Sequence, residues 1–283
     1  MKRAAIVIAV LGMCVWSLGQ DKKPTQTAPA GEAAAAPAGK RMPQAKTQPE
    51  FEAYNAAIQL ADAAAAEKAA DDFAAKFPDS ELRVVLYKSA MQKYQVANNA
   101  DKMLEMAQKA LTFDADDPEA LVRVAQVQAE RTRDTDLDKD QKLAEAKKNA
   151  ERALVTIDTD VPTAGYPPEK VAQFKGFLKS EAYAILGTLA SNAKNWPEAE
   201  SNLHKSIDAF PEQVDSVAVL RLAVALDMQN KIPDALKYAN QAVDLTKEHP
   251  ESPAGKAARA EQDRLTKLSS GSAPGQGAGP QKN

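Results

Sequence analysis

Residues 181–211 read EAYAILGTLASNAKNWPEAESNLHKSIDAFP, and the order of large and small apolar residues in this stretch decides the fold. Tyr183, Leu186, Gly187, Trp196, Ala199 and Leu203 recur, softened, as Val219, Leu222, Ala223, Ile232, Ala235 and Ala239, a shift of 36 residues. Residues three or four apart share one helix face, so the large side chains form a ridge, while Gly187 and Ala199 let two helices approach to contact. Self-similarity at this period signals stacked helical hairpins, because one hairpin cannot bury its own apolar face and must lean on a neighbour. Pro211 then stops the second helix of the unit.

Working outward, residues 49–268 are rich in Ala, Leu, Lys, Glu and Gln, with apolar residues at helical spacing and no sustained alternation, so the body is all-α. Its punctuation predicts paired helices at 50–64 and 66–77, 82–97 and 100–113, 119–131 and 141–157, 168–193 and 197–210, and 213–228 and 233–246. A single helix at 254–268 then covers the exposed end, as capping helices of repeat arrays do. The third pair has the longest turn, and the first helix of the fourth exceeds its repeat by more than two turns. The expected fold is a right-handed superhelical solenoid of about five helix-turn-helix repeats plus a C-terminal capping helix.

The termini read differently. Met1-Lys2-Arg3 is a short cationic start, the apolar uncharged run 4–18 follows, and Ser17-Leu18-Gly19 supplies small residues for cleavage, so residues 1–19 read as a secretory signal. An uncleaved signal would anchor the chain in the inner membrane, but the run is shorter than the roughly 20 apolar residues a span requires. No integral span is expected after cleavage. Met13 is not the small residue that precedes a lipid-bearing cysteine, and Cys14, the one cysteine, leaves with the signal. Stability must then come from packing, which an array of this size can supply. Residues 20–48, rich in Ala, Pro, Gln, Lys and Thr, read as a disordered linker, and residues 269–283 as a disordered tail. Loss of Lys2 and Arg3 takes the 36 basic residues to 34 against 39 acidic ones, a formal charge of about −5. A dispersed acidic surface argues against nucleic acid as a partner, since that binding rests on clustered Lys and Arg.

At the fourth hairpin the pattern resembles the tetratricopeptide repeat, and the likeness covers residues 50–250. The family places large residues where Tyr183, Leu186 and Leu203 stand and small ones at Gly187, Ala199 and Ser206. The second hairpin keeps Tyr87, Ala90, Tyr94, Ala107 and Ala110, and the third Leu121, Val124, Ala125, Ala146, Ala150 and Ala153. The segment Phe73-Ala74-Ala75-Lys76-Phe77-Pro78-Asp79-Ser80 looks like the hairpin endings of exported, envelope-resident members. The resemblance implies binding of a protein or peptide without catalysis, in a concave groove lined by the first helix of each repeat.

By repeat position the groove residues are Lys88, Gln92 and Gln95, then Val122, Arg123 and Gln126, then Ala184, Thr188 and Asn192, then Leu220, Arg221 and Val224. Of these, Lys88, Gln92, Arg123, Gln126, Thr188, Asn192 and Arg221 are the expected polar contacts to a partner. The Lys and Asn combination with which chaperone-binding members clamp a terminal carboxylate is missing. The expected ligand is therefore an extended or helical segment held by amide hydrogen bonds and apolar pockets.

Chemistry-bearing motifs are weak. Asp134, Asp136, Asp138 and Asp140 alternate, with Glu145 twelfth, as in a calcium loop, but Lys139 stands where the bend needs Gly and Gln141 where an apolar residue belongs. The simpler reading is a solvated acidic turn in which Asp140 caps the next helix. His204 and His249 lie far apart with no nearby Cys or His, and the Gly-Lys pairs at Gly39 and Gly255 lack the first glycine of a phosphate loop. No metal, cofactor or small-molecule substrate is indicated. The leading functional reading is an extracytoplasmic scaffold, periplasmic or secreted. A constitutive subunit of a secretion or outer-membrane assembly complex, and a hydrolase with an unrecognised site, stay open beside it.

Overall fold

The protein is described by a computed structural model over residues 39–270. The signal at 1–19, the linker as far as residue 38 and the tail from residue 271 lie outside the described residues. Within them the chain forms α1 (Gln48–Ile58) and α2 (Ala63–Lys76), α3 (Leu82–Val96) and α4 (Ala100–Phe113), α5 (Pro118–Arg131) and α6 (Lys139–Asp160). Next come α7 (Pro168–Asn192) and α8 (Trp196–Ala209), a single 3-10 turn (Pro211–Gln213), α9 (Ser216–Asp227) and α10 (Ile232–Leu245), and α11 (Pro253–Ser269). Each helix packs on the next, and α11 closes the end against α9 and α10. The architecture is an all-α solenoid of five hairpins and a cap.

Local chemistry sets the boundaries. Thr47, Asp62, Asn99, Asp117, Asn195, Asp215 and Ser252 cap helices with side-chain oxygens, and proline stands in the first turn of α1, α5, α7, α8, α10 and α11. The expected start of α2 at residue 66 moves back to Ala63 because the Asp62 carboxylate takes the Ala65 N–H at 2.8 Å, and α1 stops at Ile58. The turns of hairpins two, four and five share one cap. Asn98, Lys194 and Asn230 adopt left-handed φ of 54°, 58° and 59°. Asn99 N–H then reaches Tyr94 O at 2.9 Å, Asn195 reaches Ala190 at 2.9 Å and Lys231 reaches Leu226 at 3.0 Å, closing the same six-to-one ring.

The core is built from small residues at helix crossings. Ala90, Ala107, Ala150, Ala199, Ala223 and Ala239 are all fully buried. At Gly187 an added Cβ would sit 2.6 Å from Leu203 Cγ, so α7 and α8 approach to a distance that only glycine permits. Trp196, half-buried at the start of α8, packs on this C-terminal core, and Gln229 donates to its carbonyl at 3.3 Å.

The extra length of α7 has a structural use. The other second helices have 14 residues, whereas α6 has 22, and the 25-residue α7 follows it down. Ile157 and Val161 at the end of α6 meet Val171, Phe174 and Leu178 of α7 in a core of their own. Phe177 lies edge-on to Phe210, 6.0 Å between centroids, which ties this extension to the end of α8.

One expectation is corrected outright. Residues 39–47, assigned from composition to the disordered linker, form an extended strap laid across the turns that join successive hairpins. Lys40 N–H donates to Thr159 O at 3.0 Å, Lys40 Nζ meets Asp114 at 2.6 Å and Asp160 at 3.3 Å, and Arg41 pairs with Glu81. Lys46 Nζ donates to Asp79 O at 2.6 Å, and Ala45 packs on the N-terminal core. Composition misled because it scores apolar content, whereas the strap is held by complementary charge. At the other end Ser269, placed in the tail, is the last residue of α11.

The left-handed cap at Lys194 generates a prediction. A non-glycine residue there costs about 1–2 kcal/mol, part of which glycine returns through its greater freedom when unfolded. Lys194→Gly is therefore expected to stabilise the protein by about 0.5–1 kcal/mol, read as a higher urea midpoint at unchanged slope. A lower midpoint would mean that the lysine side chain carries a compensating contact.

Candidate binding groove

First helices touch along most of the array, α1 with α3, α5 with α7, α7 with α9 and α9 with α11, while α3 and α5 are bridged by long side chains, and no two second helices are in comparable contact. The first helices therefore form the inner, concave layer. The sequence placed its candidate residues on this layer, and the structure divides them into two groups.

In the N-terminal half the candidates bind one another. Lys88 of α3 pairs with Asp117 at 2.8 Å and Glu119 at 3.1 Å at the head of α5. Gln92 donates to Glu119 at 2.8 Å. One turn on, Arg123 is only 3 % exposed and makes a two-pronged contact with Glu181 of α7, at 2.8 and 2.5 Å, while donating to Gln126 at 2.7 Å. The result is a ladder of alternating charge, Lys88, Glu119, Arg123, Glu181, running across three first helices. Lys88, Gln92, Arg123 and Gln126, expected to contact a partner, are thus engaged with neighbouring side chains of the array. At this helix spacing long side chains reach the neighbouring repeat, and a buried charge left without a partner is costly.

Protonation follows the geometry. Burial pushes the Glu119 carboxyl up, but the Lys88 ammonium, the Gln92 amide and the Arg123 guanidinium outweigh it and hold it below 4.5. Burial likewise pulls Lys88 down, and Asp117 and Glu119 reverse this, holding the ammonium well above 10.5. Against the same burial, Glu181 keeps Arg123 raised. Asp117, Glu119 and Glu181 were missed because the repeat period assigns a residue to a face without assigning its partner. The acidic residues at the head of α5, where the sequence showed only a stop, were the available signal.

The C-terminal half is different. Thr188 is buried and its hydroxyl turns back to Ala184 O at 2.8 Å, so it contacts its own helix. Asn192 stands exposed at the end of α7, and Arg221 is half-buried on α9. Val217, Arg221, Val224 and Met228 occupy one stripe of α9, at the spacing of a single helix face. Val217 and Val224 are half-buried without belonging to any of the buried clusters, Leu220 beside them packs toward the α10–α11 end, and Met228 is 51 % exposed.

Elsewhere the acidic turn uses its carboxylates locally. Asp134 pairs with Lys139 at 2.7 Å, Asp138 with Lys142 at 3.0 Å, and Asp136 accepts from Arg133 N–H. The helix starts at Lys139 rather than after Asp140, which lies in its first turn, and Glu145 is carried away along α6. Among the described residues no group of three or more His, Cys, Asp or Glu is placed to hold a metal ion, and no helix is long and apolar enough to cross a membrane. His204 lies on α8 edge-on to Tyr238, 5.3 Å between centroids.

No protein-family model matches the chain, and no curated protein does. The chain is similar to several solved structures. YrrB, described as a tetratricopeptide protein with an unusual peptide-binding site, is 15 % identical over 71 % of this chain and 85 % of its own, with a TM-score of 0.45. PilF of Pseudomonas aeruginosa is 16 % identical over 79 % and 95 %, TM-score 0.47. PilW, a type IV pilus biogenesis factor, is 17 % identical over 75 % and 99 %, TM-score 0.39.

Removing the middle cation of the ladder leaves carboxylates facing each other. Arg123→Met is expected to lower stability by about 3 kcal/mol in a denaturant titration, and a loss within error of zero would mean the ladder contributes nothing net. The pH dependence has a worked sign. Glu119 titrates below 4.5 in the folded chain, so its contribution is present above that pH and is lost as pH falls through the folded value. Lys88 titrates above 10.5, so its contribution is present below that pH and is lost as pH rises through the folded value. Melting temperature should be flat between these limits, and Glu119→Gln should shorten the acid-side fall. An acid limb identical in parent and variant would assign the fall to other carboxylates.

Proposed function

We propose that this chain is an exported scaffold that holds a segment of another protein in the C-terminal half of its concave groove, without catalysis. The observation that carries the reading is the division of the groove. In the charged half Lys88, Gln92 and Arg123 are paired with Asp117, Glu119 and Glu181, while the α9 stripe offers Val217, Val224 and Met228 with no part in the buried clusters. Half-exposed apolar groups on a concave wall gain by taking up apolar side chains, and a flexible methionine at the rim adapts to more than one shape. Asn192 supplies a polar group at the edge, so the occupant is an extended or helical segment with apolar anchors and few charges. Export rests on the signal read in residues 1–19 and places the partner outside the cytoplasm.

The test is affinity capture from envelope extract with the chain from residue 20, followed by direct titration of what is recovered. Val224→Asp should weaken binding at least tenfold, about 1.4 kcal/mol, with an unchanged melting curve. Gln92→Ala, in the charged half, should leave affinity within about twofold. The reverse order of effects would move the site to the charged half, and equal indifference to both would place it off the concave wall.

A further inference from the structure

The strap offers a second surface, separate from the groove. Its residues Gly39-Lys40-Arg41-Met42-Pro43-Gln44-Ala45-Lys46 run extended along the edge of the solenoid where hairpins are joined, and each basic residue finds an oxygen there. Lys46 reaches the turn after α2, Arg41 the start of α3, and Lys40 the turn after α4 together with the end of α6. Gly39 then lies so close to Val161 O and Thr163 that a side chain would overlap them. The edge is thus complementary, by charge and by spacing, to an extended segment with paired basic residues.

We propose that this edge is a recognition surface for extended Lys/Arg-bearing segments, and that residues 39–47 are its resident occupant, which a basic segment of a partner displaces. The contacts suit exchange. Arg41 and Lys40 are 66 % and 41 % exposed in their side chains, and pairs so open to water are individually weak and screened by salt. One backbone-to-backbone hydrogen bond, from Lys40 to Thr159, joins the strap to the edge, and the Gln44 N–H donates to the Glu81 carboxylate. The strap holds its place because it is tethered to α1, and a short tether gives an effective concentration on the order of 1 mM. A free segment of micromolar intrinsic affinity therefore binds about a thousandfold less tightly to the closed edge than to an open one.

A labelled peptide of sequence GKRMPQAK, titrated by fluorescence anisotropy against the full chain and against its Lys40→Glu/Arg41→Glu variant, tests the proposal. The variant should bind at least tenfold more tightly than the parent, the gain should vanish at 0.5 M salt (on the order of a Debye length of 4 Å), and Glu81→Lys added to it should remove it. Equal affinity for parent and variant, or no binding to a variant that melts like the parent, overturns the idea. Hydrogen exchange on the unaltered chain reads the same event without relying on the variant's folding. Excess peptide should speed exchange at residues 40–46 and leave α7 unchanged, and an unchanged strap at saturating peptide would make it a fixed part of the fold.

Discussion

Close approach between helices is the constraint on which the rest of this structure depends. Fully buried alanines recur at the crossings, and Gly187 admits the Leu203 side chain where any other residue would hold α7 and α8 apart. Contact at that distance is dispersion between backbones and short side chains, and it fixes the angle between successive hairpins more firmly than long interdigitating side chains could. Curvature follows from it, because first helices touch one another while second helices splay. The outer layer then spans its gaps with long polar side chains, as where Lys102 and Lys109 of α4 reach Glu67 and Asp71 of α2.

The same spacing explains the polarity of the inner wall. First helices sit close enough for Lys88, Glu119, Arg123 and Glu181 to reach across three repeats, and the low-dielectric wall makes each an obligatory partner of the next. Replacing such a ladder by apolar residues is often neutral for stability, so its value lies in register: shifted by one turn, it would set like charges against each other. Beyond the ladder, on α9, the face is mixed, with Val217, Val224 and Met228 flanking Arg221. The first-helix face is therefore two surfaces in series, a charged one paired across repeats and a largely apolar one on α9.

Much of this was legible in the sequence, for identifiable reasons. The 36-residue recurrence from Tyr183 to Val219 fixed the hairpin architecture, because ridge and gap positions are dictated by helix geometry alone. Proline and the Asp, Asn and Ser caps placed most boundaries within two residues; the Asp62 cap was hidden by a run of alanines, α9 starts at Ser216 behind Asp215 rather than at 213, and α6 runs on to Asp160. The first-helix face of the candidate residues was legible but their pairing was not. A period says which face Lys88 and Arg123 occupy, whereas their partners Glu119 and Glu181 lie 31 and 58 residues away and are matched only by the stacking itself. The strap was lost for the opposite reason, since a segment with few large apolar residues can still be ordered when charges on a preformed edge await it.

The placement of Trp196 has an optical consequence. It is the one tryptophan among the described residues, half-buried in the seam between the fourth and fifth hairpins. Tyr87 and Tyr94 sit in the opposite core with their hydroxyls on Asp71 and Glu67. Excitation at the red edge of aromatic absorption thus reads, among the described residues, the seam between the fourth and fifth hairpins alone, whereas tyrosine absorbance, to which Tyr183 and Tyr238 of that end also contribute, reports on both halves of the solenoid.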